Sequence, residues 1–262
     1  MSDPLLLERR GAVAIISNND APYNRMSMEY MDELERVLRD LEADNSVRAL
    51  VFTSEGTEHF SVGMNLKQIP EGAKAKGSID GLFDQRWRVL ETIENMGKPS
   101  VVTLFGYCLG GGLELPLACH FRLASEEGAQ IGLPEMELGT VPAWGGTARL
   151  PRCVGRDHAI DMILRAKKIS GPEALRIGLV NEVWPLHELK DRAIALAEEL
   201  AAMPRLAVKG VLDCIVGHET KSLYESLADE RRAVRMNART PDAIEGMMAF
   251  LEKRAPVFNQ DG

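Results

Sequence analysis

Two glutamates bracket a stretch in which the chain changes character several times. Gly106-Tyr-Cys-Leu-Gly-Gly-Gly-Leu-Glu114 ends on one acid, and Leu133-Pro-Glu135 supplies the other. Glu114 sits among Leu113, Leu115, Leu117, Ala118 and Cys119, where an ionised carboxylate is costly. Bare glycine backbone beside a costly carboxylate suits a site that binds developing negative charge and moves protons.

A strand that runs into glycines and then a helix presents several backbone N–H groups at the positive end of the helix dipole. Glycine also lets a ligand atom approach without a Cβ in the way. The run matches neither G-x-x-x-x-G-K-[ST] nor G-x-G-x-x-G, and read alone a glycine cluster is most often a turn. A second glycine loop, His59-Phe-Ser-Val-Gly-Met-Asn-Leu-Lys67, follows another strand. Convergence of the Met64 and Gly111 amides would make a two-donor hole for one oxygen, the requirement for stabilising an enolate or a tetrahedral intermediate.

The elements that must position these groups alternate along the first part of the chain. Residues 11–17, 47–53 and 99–105 read as strands, and 120–124 and 130–133 as short ones. Residues 28–41 and 80–96 carry apolar side chains at helical spacing, the first behind Ser27 as an N-cap. Alternation of this kind argues α/β. From residue 186 onward the pattern is almost wholly helical, over 186–203, 206–216, 221–237 and 241–253. Thr240-Pro-Asp242 is a strong helix start. The expected division is a body over 1–200 carrying the site and a helical region over 201–262. Residues 70–78 (Pro-Glu-Gly-Ala-Lys-Ala-Lys-Gly-Ser) read as the most loop-like stretch, a candidate mobile flap.

At 262 residues and 45% hydrophobic, the chain is long enough for a packed core. A formal net charge of −8 argues against overall attraction to nucleic acid or an anionic membrane. Cys108, Cys119, Cys153 and Cys214 form no C-x-x-C pair, and the five histidines form no metal-ligand pattern, so no metal is expected. The cysteines read as small buried thiols in a reducing compartment. No apolar run reaches membrane-spanning length, no signal peptide is evident, and the terminal Asn-Gln-Asp-Gly is no peroxisomal address. The expected location is the cytoplasm.

Five ordered motifs carry a resemblance to the enoyl-CoA hydratase/isomerase (crotonase) superfamily over nearly the whole chain. Phe60-Ser-Val-Gly-Met-Asn-Leu-Lys67 resembles F-x-A-G-x-D-L-K. Gly106 to Leu115 resembles G-x-x-x-G-G-G-x-E-L. Pro134-Glu135 through Arg149-Leu150 resembles P-E-x-x-x-G-x-x-P-x-x-G-G-T-x-R-L. Ala174-Leu-Arg-Ile-Gly-Leu-Val-Asn181 and the ending Glu245-Gly … Lys253-Arg-Ala-Pro-Val-Phe258 also fit. The resemblance implies an α/β spiral of ββα turns with a helical C-terminal region that packs between subunits, as a homotrimer or a dimer of trimers.

It further implies an acyl-CoA thioester as substrate, with its carbonyl between the Met64 and Gly111 amides and no separate cofactor, coenzyme A being part of the substrate. Met64, Asn65, Leu66 and Lys67 would line the CoA, and Lys67 would either meet a CoA phosphate or be a solvated surface lysine. Hydration of a 2-enoyl thioester needs a base for water, an acid for C2 and a home for the oxyanion. Glu114 and Glu135 occupy both acidic positions associated with hydratases, Glu114 for water and Glu135 for the C2 proton. The segment Thr140 to Gly146 lacks the aspartate of diene isomerases and dehalogenases. A double-bond isomerase, another thioester reaction of this superfamily and a non-catalytic CoA-binding member are the alternatives.

Four positions depart from the pattern. Asn65 replaces an aspartate, and His120 another, where a structural histidine is the expectation. Pro116 falls within the presumed helix and favours a kink. Trp144 replaces a small residue and either walls the acyl pocket or fills the core. Together they point to a specialised acyl group. Glu137 is expected to be solvated.

Overall fold

Three apolar segments bury every one of their residues: β2 (Val13–Asn18), β3 (Ala49–Ser54) and β4 (Ser100–Leu104). Strands covered on both faces read this way, as continuous apolar runs without alternation. In the computed structural model, which describes residues 3–260, they lie side by side in parallel. Val51 pairs with Ile15 on one side and Val101 on the other. The sheet is completed by β1 (Leu5–Arg10), β6 (Phe121–Ser125) and β8 (Glu182–Trp184) in the order β1-β2-β3-β4-β6-β8. Only β1 runs antiparallel.

Helix α1 (Met28–Ala43) buries Tyr30, Met31, Leu34, Val37, Leu38 and Leu41, and Ser27 caps it by accepting the Tyr30 N–H. Helix α3 (Ile79–Asn95) packs between α1 and α4 (Gly111–Ala118), while α8 (Leu186–Ala202) lies across β2, β3, β4 and β6. A second, small sheet pairs β5 (Tyr107–Leu109) with β7 (Gln130–Gly132) in parallel. Bridges from Ser61 to Cys108 and from Ile131 to Ile169 widen it by one residue on each side. This strip sets the 59–64 loop beside the start of α4.

Several elements were not foreseen. β1 buries only Leu5, so it shows no alternation, and β8 is three half-buried residues. The 70–78 stretch is not mainly loop: α2 (Ile69–Ala75) occupies most of it. Proline is tolerated in a first turn, and Gly72 is buried against Met28 and Leu82. Helices α5 (Gly146–Val154), α6 (Arg156–Leu164) and α7 (Gly171–Arg176) are short, and Gly155 separates the first two. Pro116 stands inside α4, which ends two residues later with the Cys119 N–H donating to the Pro116 carbonyl. The chain closes with α9 (Arg205–Val216), α10 (Leu223–Asn237) and α11 (Pro241–Glu252). Thr240 caps α11, and Ser222 with Glu225 forms a capping box on α10.

Candidate active site

The glycine run and the second glycine loop meet. Gly63, at φ +87°, lies so close to the turn before α4 that a Cβ there would stand 2.6 Å from the Leu109 carbonyl oxygen and 3.1 Å from the Gly111 nitrogen. No residue with a side chain fits. The bonds holding the two loops bypass the Met64 and Gly111 amides. Met26 N–H donates to Gly63, and Asn65 N–H to Met26, on either side of Met64. Gly110 N–H donates to Gly132, while Leu113 and Glu114 N–H donate to Gly110. Gly111 is the first residue of α4, where an N–H has no intrahelical acceptor.

Met64 and Gly111 both border one cavity of about 220 Å³. Its lining includes Met64, Leu66, Gly111, Glu114, Glu135 and Trp144, with Ile69, Phe83, Leu138 and Val141 as further apolar wall. Asn65 and Lys67 are not among the lining residues; Lys67 is exposed. Asn65 makes no side-chain cap, so backbone bonds hold its loop.

Glu114 is 2% exposed. Its Oε1 accepts the Trp144 N–H at 2.7 Å and the Gly146 N–H at 2.8 Å. Burial pushes its carboxyl up to about 7; the two N–H donors and Arg149 oppose that rise, and neighbouring Glu135 adds to it. Glu135 begins the short 3-10 helix Glu135–Leu138 and lies beside Gly110, where a Cβ would come within 3.0 Å of Oε1. Burial raises its carboxyl too, and its Oε2 is buried without a partner. Both shifts favour the protonated carboxyl, as suits a pair that exchanges protons.

Trp144 is both wall and packing. It is buried and borders the cavity, and its ring covers Gly111 so closely that a Cβ there would sit 2.4 Å from Cζ3. His120 is structural: its ring bonds Ser100 and the Glu94 carbonyl. Glu137 is exposed and pairs with Lys168. The Trp144 and Gly146 amides were missed by sequence reasoning. Their only signal was Gly145-Gly146 opening a helix one motif downstream.

Cys108 and Cys119 are buried thiols, and Cys214 is half-buried. No helix of the described residues is long and apolar enough to cross a membrane.

With this geometry in place, comparisons with known proteins agree in one direction. The enoyl-CoA hydratase/isomerase family model matches residues 8–261. A probable enoyl-CoA hydratase of Bacillus subtilis (strain 168) is 36% identical over 249 residues, covering 94% of this chain and 95% of that protein. The short-chain-enoyl-CoA hydratase of Clostridium acetobutylicum is 33% identical, covering 95% of each. The crystal structure of an enoyl-CoA hydratase from Bacillus anthracis superposes with a TM-score of 0.91 at 32% identity, over 97% of this chain and 98% of that one.

Proposed function

The chain belongs to the enoyl-CoA hydratase/isomerase family, and we propose that it adds water to a 2-trans-enoyl-CoA to give a 3-hydroxyacyl-CoA, using Glu114 and Glu135. The enzyme is an enoyl-CoA hydratase, a carbon–oxygen lyase. The observation that carries the residue assignment is a buried and a half-buried carboxyl on the wall of one cavity, both shifted upward by burial, beside two amides that the loop hydrogen bonds leave unused.

The thioester oxygen accepts hydrogen bonds from the Met64 and Gly111 N–H groups, which take up the charge of the enolate. Glu114, its Oε1 occupied by two backbone donors, presents Oε2 to water. It takes one water proton as the oxygen bonds to C3. Glu135 gives its proton to C2. The water O–H, the Glu135 O–H and the C2–C3 π bond break, while C3–O, C2–H and Glu114 O–H bonds form; Glu135 ends ionised and Glu114 protonated, to be reset through solvent. No separate cofactor takes part; coenzyme A belongs to the substrate. Residues 64–67 run along the CoA, with Lys67 as a point charge for a phosphate. Trp144, Phe83, Leu138 and Val141 bound the acyl end and select a specialised acyl group.

The cytoplasm is the proposed location, since Cys108 and Cys119 are buried as reduced thiols. Residues 201–262 form the proposed oligomerisation region of a homotrimer or a dimer of trimers.

Loss of the enoyl-thioester ultraviolet absorbance on adding enzyme to a panel of 2-enoyl-CoAs tests the reading. Glu114→Gln and Glu135→Gln are each expected to lower turnover by at least about a hundredfold. Full turnover in both variants would sink the assignment. Full turnover in Glu114→Gln alone would leave Glu135 as the sole acid–base group.

A further inference from the structure

We propose that Trp87 is a positioning residue for Glu114, acting through the peptide between Ala143 and Trp144, with Arg149 holding the next peptide in the turn. The proposal rests on the hydratase reading for its catalytic consequence.

The argument starts from the planarity of the peptide bond. In a trans peptide the carbonyl and the following N–H point in opposite directions within one rigid plane. The indole Nε1–H of Trp87 donates to the Ala143 carbonyl at 2.7 Å. The N–H at the other end of that same peptide, on Trp144, donates to Glu114 Oε1. Fixing one end therefore aims the other. Arg149 Nη1 donates to the Trp144 carbonyl at 3.2 Å, which fixes the next peptide, and Gly146 N–H follows as the second donor.

The turn needs such support. Its hinge is Gly145 at φ +107°, and a Cβ there would meet Arg149 Nη1 at 2.4 Å, so the hinge has no side chain of its own to fix it. The guanidinium is anchored by Glu94 of α3, with Nη2 to Oε2 at 2.8 Å. Trp87 and Glu94 thus tie the turn to one helix at two points. Neither Trp87 nor Arg149 borders the cavity, and Trp87 is half exposed. A role in packing alone does not require its N–H.

The charged groups facing Glu114 are Glu135 from the 3-10 turn and Arg149 from α5. From α3, Glu94 pairs with Arg149, and Arg86 stands over the Trp144 ring at 5.9 Å. N–H donors aimed at a carboxylate favour its charged form, so loosening the turn raises the pH at which Glu114 becomes a base.

Trp87→Phe keeps an aromatic ring and removes the indole N–H along with part of the ring system. Arg149→Lys keeps the charge and removes the fork. In each folded variant kcat is expected to fall on the order of tenfold with KM for a 2-enoyl-CoA unchanged, and the low-pH limb of kcat/KM is expected to move upward. A purely structural role would lower Tm and leave that limb in place. The Glu114 carboxyl stretch, identified by infrared difference against Glu114→Gln and titrated without substrate, reads the same shift independently of turnover. It separates failure of this proposal from failure of the hydratase reading. An unmoved limb and an unmoved infrared titration in both folded variants would overturn it.

Discussion

At the scale of single residues, the site sets stability against function, and Glu114 shows how. An acid whose carboxyl is raised in the fold, from 4.5 to about 7, prefers to keep its proton there. Below the unfolded value both states are protonated and nothing is lost. Between 4.5 and about 7 the unfolded chain ionises while the fold holds the proton, so stability falls as pH rises. Above 7 the cost levels off at about 3 kcal/mol. Glu114→Gln should abolish this dependence while still accepting the Trp144 and Gly146 N–H groups. Urea unfolding at pH 5 and pH 8, at one protein concentration, is therefore expected to show the variant gaining on wild type at the higher pH. Identical pH slopes would refute the burial argument. Glu114 was legible in the sequence because a carboxylate among leucines is anomalous. Its two amide donors were not, because backbone groups leave no mark on residue type.

At the scale of elements, the loop before α2 and the start of α4 must touch for the two N–H groups of Met64 and Gly111 to share an oxygen. Gly63 is the point of contact. Gly63→Ala would force an L-residue to φ +87° and drive its Cβ into the Leu109 carbonyl, so the loop must withdraw. The expected result is a loss on the order of a hundredfold in kcat/KM, as for removal of an oxyanion donor, with about 1–3 kcal/mol of strain seen in denaturant unfolding. Wild-type kcat/KM in this variant would show that the contact does not shape the hole. Helices α1, α3 and α8 to α11 were legible from apolar spacing and caps, within a residue or two at each end. The misses share a cause. β1 is an edge strand with one buried residue, and α2 opens on Pro-Glu-Gly, which mimics a loop until Gly72 is seen packed against Met28 and Leu82.

At the scale of the whole molecule, the C-terminal helices are amphipathic without anything to cover them. α9 and α10 bury no side chain, and α11 buries only Ala249. Yet Tyr224 is 82% exposed and Phe250 79%, with Leu206, Val211, Met247 and Leu251 exposed as well. Monomers rarely leave so many large apolar side chains of neighbouring segments in water, and helices of this length gain most of their stability from a packed face. The body shows the opposite pattern, with a core that is closed. A second and third copy of the same surface, related by symmetry, would bury it. Light scattering after size exclusion should give three or six times the 28.9 kDa chain mass. Phe250→Glu combined with Leu251→Glu, which places two charges on that face, should shift the mass toward one chain and lower Tm, because the covering helices lose their partner. A wild-type protein that runs as a monomer at micromolar concentration would remove the basis for an oligomerisation role of residues 201–262.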